Sequence, residues 1–218
     1  MNEISMEVWG DFACFSRPES KVERLTYSVM TPSAARGILS AVYSKPVEFY
    51  WQVVRIEVLK PIRYLSFKRN EVINSKIGRN PSPMLVEDNK NRTQRQTVVL
   101  KDVRYRITAR IVPRKEFKGT VNQLYEQAKR RIKGGKCFFQ PSLGMREFVC
   151  YFSEPTDLQP IESDADLGIM LYDVFDLNKF EVTPKAEPFV SVFHAKLEKG
   201  VMEVPEYDSE LVLKPERG

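Results

Sequence analysis

Hydrophobic and polar residues alternate along the first dozen positions of the chain. The apolar or small positions, with polar residues or Trp9 between them, are Ile4, Met6, Val8, Gly10 and Phe12. A period of two residues is typical of a β-strand with one buried face. In the stretch "MTPSAARGILSAVYSKP", Thr31 is a good N-cap, Pro32 suits the first helical position, and Pro46 stops the helix. The pattern therefore predicts a strand followed by a helix.

A second strand is predicted in "WQVVRIEVLKPIRY", where Val54, Ile56 and Val58 alternate with polar residues. From about residue 66 to residue 96 the chain becomes polar and rich in Asn, Lys and Arg. We interpret this stretch as a long loop. Loops of that length in compact domains are usually functional or disordered.

The clearest alternation lies in "VRYRITARIV". Val103, Tyr105 and Ile107 face one side of this predicted strand, whereas Arg104 and Arg106 face the other. The next stretch, "TVNQLYEQAKRRIKGG", has apolar residues at helical spacing, and one of its two glycines is expected to end the helix. "REFVCYF" then predicts a fourth strand.

The resulting order is β-α-β, long loop, β-α-β. Two such units form an antiparallel sheet with both helices on one face, so we expect an α+β protein with a ferredoxin-like (RRM-like) domain over residues 1–152. After Phe152 the chain becomes acidic, and the remainder is β-rich with a hairpin that turns near Lys199. We interpret residues 153–218 as a small antiparallel β domain.

Charge is distributed very unevenly along the chain. The net charge is +5, but residues 1–54 carry −1, residues 55–136 carry +15 and residues 137–218 carry −9. A segment this basic is typical of proteins that bind a polyanion such as nucleic acid, although a solvated basic face would have the same composition. We expect the sheet face that bears Arg104, Arg106 and Arg110 to be open and to contact a phosphate backbone.

A second group of candidate RNA-binding residues lies in and just before "RRIKGGKCFFQPSLGMREF". Glycines allow a backbone to approach a phosphate closely, and the neighbouring cations would neutralise its charge. The alternative is that the cations complement the helix dipole and that the glycines only end a helix and make a turn. The candidates are Lys129, Arg130, Lys133, Gly134, Gly135, Lys136 and Arg146.

The N-terminal residues, the cysteines and the single histidine bear on localisation and on metal binding. The first fifteen residues do not form a secretory signal, so we expect a cytoplasmic protein. Three widely spaced cysteines and one histidine, His194, make no recognisable zinc site, and we expect no metal or other cofactor. His194 alternates with apolar residues in the C-terminal hairpin, where a surface or packing role is expected.

Four separated stretches resemble a known family. They occur in the same order as in that family and are "EVWGDFACFSRP", "YSVMTPSAARGILSAVYSKP", "VVRIEVLKPIRY" and "PSLGMREF". Together they resemble the CRISPR-associated repeat-processing endoribonuclease of subtype I-C (Dvulg) systems, in the RAMP superfamily. The resemblance covers about residues 3–150 and is weaker beyond.

The resemblance implies a function as well as a fold. It implies binding of CRISPR repeat RNA, metal-independent cleavage at the base of the repeat hairpin, and retention of the crRNA in a Cascade interference complex with other subunits. The family constellation is a tyrosine at the end of the first helix and a Lys-His pair near the start of the second. Tyr43 matches the tyrosine, whereas Lys118 in "KGTVNQ" is the only cation near the expected pair.

Two functions remain open at this point. The match at Tyr43 favours an endoribonuclease whose catalytic residues are Tyr43 and Lys118. The missing Lys-His pair favours a non-catalytic subunit that holds the 5′ end of a crRNA made by another enzyme. A role in DNA binding or cleavage is weaker, because the sequence has no paired-carboxylate metal motif.

Overall fold

The computed structural model describes residues 3–20, 22–72, 92–115, 117–179 and 188–215. Within these ranges the chain forms ten strands and two helices. In chain order they are β1 (Ile4–Ala13), β2 (Arg24–Leu25), α1 (Pro32–Val42), β3 (Phe49–Val58), β4 (Tyr64–Val72), β5 (Arg92–Pro113), α2 (Val121–Lys133), β6 (Tyr151–Ser153), β7 (Ala165–Asp173), β8 (Ser191–Leu197), β9 (Val201–Glu203) and β10 (Val212–Leu213).

The large sheet has the strand order β6-β1-β5-β3-β9, and each of these neighbours is antiparallel. The units β1-α1-β3 and β5-α2-β6 are thus interleaved, as the sequence predicts. The apolar faces of α1 and α2 pack against the sheet and contact each other. The core side of β5 carries Tyr105 and Ile107, both buried. The arginines of the same strand alternate with these residues and lie on the opposite face.

The predicted helix signals are confirmed. Thr31 caps α1, because its Oγ1 accepts a hydrogen bond from the backbone N–H of Ala34 at 3.2 Å. Pro32 is the first helical residue. At the end of α2, Gly134 is the C-cap, and Gly135 has a φ of 61°, the left-handed conformation that ends many helices.

The prediction of a long loop at residues 66–96 is wrong for the part of this stretch that the structure describes. Residues 64–72 form β4, which pairs antiparallel with residues 92–100 of β5, and this two-stranded ribbon is mostly exposed. Residues 73–91 lie outside the described ranges. None of residues 64–72 and 92–96 is buried, so this part of the ribbon lacks the apolar alternation that identifies a half-buried strand.

The predicted fourth strand is shorter than expected. β6 contains only Tyr151–Ser153, because residues 142–149 form a turn closed by a bridge between Ser142 and Val149. Gly144 lies inside this turn with a φ of 84°. The hydrophobic residues of "REFVCYF" predict a strand, but the first part of this segment belongs to the turn. The backbone of the turn contacts residue 14.

A second, three-stranded sheet has the order β10-β8-β7. The predicted hairpin turn is present, with Lys199 and Gly200 at positive φ. Its two strands separate, however: β8 belongs to the small sheet, whereas β9 pairs with β3 at the edge of the large sheet. Arg36 of α1 and Asp173 of β7 form a two-point ion pair between helix and small sheet. The domain boundary near residue 152 remains a prediction.

Two further observations concern the cysteines and the length of the helices. All three cysteines are free; Cys14 and Cys150 are buried and Cys137 is half-buried. Burial raises the pKa of Cys150 to about 12, so this thiol stays protonated at neutral pH. Neither helix in the described part of the chain is long and apolar enough to cross a membrane.

Candidate nucleic-acid interface and active-site cleft

The arginine face of the sheet is not open, and that expectation is wrong. Arg106 lies directly opposite Glu7 of β1 and Glu57 of β3 in the strand register. Its guanidinium binds Glu57 Oε2 at 2.6 Å and Glu7 Oε1 at 3.0 Å. It also donates to the carbonyl oxygens of Thr156 and Leu158 at 2.8 and 2.7 Å, and only 14% of its side chain is exposed.

The neighbouring arginines are paired in the same way. Arg104 donates two hydrogen bonds to Glu7 Oε2 and lies over the ring of Trp9. Arg110 forms an ion pair with Glu206. The sequence shows three arginines on one face, but it does not show that Glu7 and Glu57 fall opposite Arg106. Nor does it show that Glu7 also reaches Arg104 and that Glu206 reaches Arg110. These side chains are therefore neutralised within the protein.

Glu7 is the centre of this arrangement. The carboxylate is completely buried and accepts hydrogen bonds from Arg104, Arg106 and both the backbone N–H and hydroxyl of Thr156. Burial alone would raise its pKa, but the hydrogen bonds from Thr156 and the two arginines outweigh burial and hold the pKa at about 2. Glu7 is thus ionised at neutral pH and fixes the segment after β6 over the sheet.

On the helical side of the sheet, the structure brings Tyr43 and Lys118 together. Both line a cleft of about 820 Å³ between the end of α1 and the start of α2. Arg130, from the predicted RNA-binding group, lines the same cleft. The other lining residues are Lys45, Glu48, Phe117, Gly119, Gln123, Leu124, Gln127, Arg131 and Phe138.

Tyr43 is the first residue after α1, and its position is fixed on several sides. Its backbone N–H donates to the carbonyl of Leu39, and its carbonyl accepts from Trp51 Nε1 at 2.7 Å. Its ring lies 5.5 Å from that of Phe49, and the residue is 3% exposed. Burial raises the pKa of Tyr43, so its hydroxyl stays protonated and suits donation rather than the role of a free base.

The cations of the cleft differ in their partners. Lys45 is held by Glu48 at 2.9 Å. Lys118 is exposed, and no described carboxylate forms an ion pair with it. Among the described residues, the guanidinium of Arg130 donates only to the neutral amide oxygen of Gln127. Lys118 and Arg130 therefore keep their positive charge available to an anion in the cleft.

The remaining predicted RNA-binding residues are divided between two places. Lys133 and Lys136 are exposed at the end of α2, and Lys129 there pairs with Glu126. Arg146 lies instead in the 142–149 turn, whose Met145 and Glu147 contact Arg24 and Arg69. The predicted residues are thus divided between the helix end and a turn that contacts other strands.

The glycines have structural roles of different kinds. A Cβ on Gly144 would lie 1.9 Å from the carbonyl oxygen of Cys14, so the close approach at this glycine is to the protein's own backbone. Gly135 has open space around its Cα and is needed for its positive φ. Contact of Gly134 and Gly135 with RNA remains a prediction.

Sequence reasoning missed two cleft residues, Arg131 and Phe138. The Arg131 Cζ atom lies 4.0 Å from the centroid of the Phe138 ring and 5.9 Å from that of Tyr43. In the sequence, Arg131 is one of several basic residues in the last turn of α2, where a cation suits the helix dipole. The signal available in the sequence was a pair of aromatics, "FF" at residues 138–139, which follows the basic helix end and the double glycine.

His194 lies outside this cleft. It is half-exposed on β8, and its Nε2 is 2.8 Å from Asp166 Oδ1. It lines a different cleft that also contains Arg106 and Lys196. The prediction of a surface histidine is confirmed.

Comparison with known proteins agrees with these features. The profile of a family described as CRISPR-associated protein (Cas_Cas5) matches residues 3–210. A protein of Mannheimia succiniciproducens named CRISPR pre-crRNA endoribonuclease Cas5d is 40% identical, over 97% of this chain and 98% of its own length. A protein of Thermus thermophilus with the same name is 43% identical, over 94% of this chain and 92% of its own length.

Solved structures share the fold. A crystal structure of a CRISPR-associated protein has a TM-score of 0.68 at 20% identity and covers 97% of this chain and 96% of that chain. A functionally uncharacterised protein from Streptococcus mutans has a TM-score of 0.67 at 19% identity and covers 97% of each chain. The matches over nearly the whole length confirm the resemblance seen in the sequence: the chain belongs to the Cas5 family of CRISPR-associated proteins, in its Cas5d branch.

Proposed function

We propose that this protein is an endoribonuclease that cleaves the repeat RNA of a CRISPR transcript without a metal ion. The observation that carries the proposal is the cleft in which Tyr43 and Lys118, distant in sequence, meet beside Arg130. Relatives that are 40% and 43% identical are named pre-crRNA endoribonucleases, which supports the same substrate class. The interleaved β-α-β units support a ferredoxin-like fold as its framework.

The chemistry uses the 2′-hydroxyl of the RNA as nucleophile. Its oxygen loses its proton to water and forms a bond to the adjacent phosphorus while the bond to the 5′-oxygen breaks. The 5′-oxygen takes a proton from water, which leaves a 2′,3′-cyclic phosphate and a 5′-hydroxyl. The protonated hydroxyl of Tyr43 donates to the phosphate or orients the nucleophile, and Lys118 stabilises the charge that develops on the phosphate. Much of the acceleration comes from in-line positioning.

Binding involves more of the surface than catalysis. Arg130, Lys133 and Lys136 extend the positive charge of the cleft along the end of α2, where they would hold the RNA backbone. We further propose that the protein keeps the processed crRNA and joins other subunits in a Cascade interference complex. Arg104, Arg106 and Arg110 are less suited to phosphate binding, since protein carboxylates already pair with them.

A second candidate is a subunit that holds a crRNA without cutting it. One observation favours it: the residues that line the cleft include no histidine, and His194 lies in another cleft. Histidine is the most frequent acid-base residue in proton transfer at neutral pH. The basic cleft would then serve only to bind RNA.

The deciding experiment is cleavage of the cognate repeat RNA in the presence of EDTA. An identical RNA with one 2′-deoxynucleotide at the cut position is the control. We expect cleavage of the first and none of the second. Tight binding without cleavage of either RNA would favour the crRNA-holding subunit.

Substitutions then test the cleft itself. Tyr43→Phe is expected to reduce the cleavage rate about tenfold or more and Lys118→Ala about 100-fold, each with little loss of RNA affinity. Tyr50→Phe is a matched control, because Tyr50 is a half-buried tyrosine that does not line the cleft. Equal rates for Tyr43→Phe and Tyr50→Phe would remove Tyr43 from the mechanism.

A further inference from the structure

Four side chains connect the hydrophobic core to the mouth of the cleft. Phe49 and Tyr43 are buried, with ring centroids 5.5 Å apart. Arg131 lies within cation-π distance of both Tyr43 and Phe138. Phe138 is 53% exposed, so the series begins in the core and ends at solvent.

Backbone contacts to α1 hold the outer members of this series. The backbone N–H of Phe138 donates to the carbonyl of Ala41 at 2.8 Å, and Arg131 Nη1 donates to the carbonyl of Val42 at 3.3 Å. These two carbonyls belong to the last turn of α1. Arg131 Nε is buried and makes no hydrogen bond with any described group. The guanidinium plane and the Phe138 ring are therefore already positioned before a ligand arrives.

The residues around Phe138 indicate which kind of ligand its exposed ring could bind. Lys118 and Arg130 line the same cleft, and Lys133 and Lys136 are exposed nearby in sequence. No described carboxylate pairs with Lys118 or Arg130, so an apolar protein partner on the Phe138 ring would have to desolvate these cations. The ring and the cations match single-stranded nucleic acid, whose bases stack on aromatic rings while cations neutralise the phosphates.

We propose that Phe138, held from behind by Arg131, is a stacking platform for one unpaired nucleobase of the RNA. The inference rests on the proposed function and adds a positioning subsite to the same cleft. A base on Phe138 fixes the nucleotide next to the cut, so that the scissile phosphate reaches Tyr43 and Lys118. A stacking contact tolerates any base, so the subsite reads an unpaired nucleotide rather than a sequence.

The test places 2-aminopurine, one position at a time, at the unpaired nucleotides that flank the repeat hairpin. The RNA carries a 2′-deoxynucleotide at the mapped cut site, so that binding is observed without cleavage. We expect the wild-type protein to change the fluorescence strongly at one position beside the cut. Phe138→Ala should abolish that change and weaken binding about 5- to 100-fold.

Two further substitutions of Phe138 separate the loss of an aromatic ring from a general loss of folding. Phe138→Trp should preserve the fluorescence change, whereas Phe138→Leu, which keeps an apolar side chain without a ring, should lose most of it. Phe175→Ala is the matched control, because Phe175 is also exposed and also lies under an arginine, Arg36, but outside the cleft. Its fluorescence change and affinity should equal those of the wild type, and thermal unfolding shows that each variant is folded.

The possible results separate the two proposals. If wild-type protein cleaves the repeat but Phe138→Ala shows the same fluorescence change and affinity as wild type, the stacking platform is wrong and the endoribonuclease stands. If Phe138→Ala affects only assembly with protein subunits, the surface is a protein contact and the platform is also wrong. If wild-type protein neither binds nor cleaves the repeat RNA, the proposed function itself fails.

Discussion

Two groups of cations in this chain look alike in the sequence, because both lie in its basic middle segment. Their environments in the structure differ. The sheet arginines, Arg104, Arg106 and Arg110, are all paired with carboxylates, and Arg106 is largely buried. The cleft cations, Lys118 and Arg130, have no carboxylate partner among the described residues. The charge of the sheet arginines is neutralised within the protein. The charge of the cleft cations remains available to bind a ligand.

The difference shows that local charge density does not identify a binding surface. What matters is whether the fold brings a carboxylate within ion-pair distance of each cation. Glu7 and Glu57 lie at this distance from Arg106, which turns a basic strand into a structural network. In the described part of the chain, Lys129 is the only cation at the end of α2 that has a carboxylate partner, and that pair is exposed and weak.

Among variants that test the difference between the two groups of cations, Glu7→Gln is expected to have the largest effect on stability. The substitution leaves Arg104 and Arg106 without their shared buried counter-charge, which should lower the free energy of unfolding by about 3 kcal/mol. Chemical denaturation measures the change. Glu126→Gln, which breaks the exposed pair with Lys129, should cost less than about 0.5 kcal/mol. Similar losses in both variants would show that the sheet network has no special role.

The same network predicts a pH dependence of stability. Because the pKa of Glu7 falls from an ordinary 4.5 to about 2 on folding, its contribution is complete above pH 4.5. It declines as the pH falls and is lost at about pH 2, with a total of about 3 kcal/mol. Denaturation curves at pH 6, 4 and 3 should therefore converge for wild type and Glu7→Gln. Parallel curves would contradict this assignment.

A smaller effect is expected from the paired change Arg130→Gln and Lys133→Gln at the end of α2. Loss of two phosphate contacts should weaken RNA binding about tenfold and reduce the slope of log K against log salt concentration by about 1 per contact. Filter binding at several salt concentrations measures both. Lys60→Gln is the control, because Asp102 already pairs with Lys60. An unchanged slope in the double variant would place the RNA elsewhere.

The smallest effect concerns the glycine after α2. Gly135→Ala puts a side chain at a φ of 61° and should cost about 1 kcal/mol of stability. Open space surrounds this position, so RNA affinity should stay within about twofold if the glycine only ends the helix. A large loss of affinity with little loss of stability would instead indicate close approach of a phosphate.

Much of the fold could be predicted because its signals are local. Alternation identified β1 and the inner half of β5, and Thr31, Pro32 and the double glycine marked helix ends. The exposed β4–β5 ribbon could not be predicted, since no buried face imposes a pattern on it. The site divides in the same way: Tyr43 and Lys118 were identified by resemblance, whereas the pairing of Arg106 and the position of Phe138 depend on strand register and on a contact between helices.

The position of β9 has a consequence for the far edge of the large sheet. Only three residues, Val201–Glu203, pair with β3, yet they cover backbone groups of Arg55, Ile56 and Glu57 that would otherwise face solvent unpaired. An uncovered strand edge recruits strands from other molecules. Cleavage of the chain between β8 and β9 would leave β9 and β10 on a separate fragment. Loss of that fragment would expose the edge of β3 and favour self-association of the remaining protein.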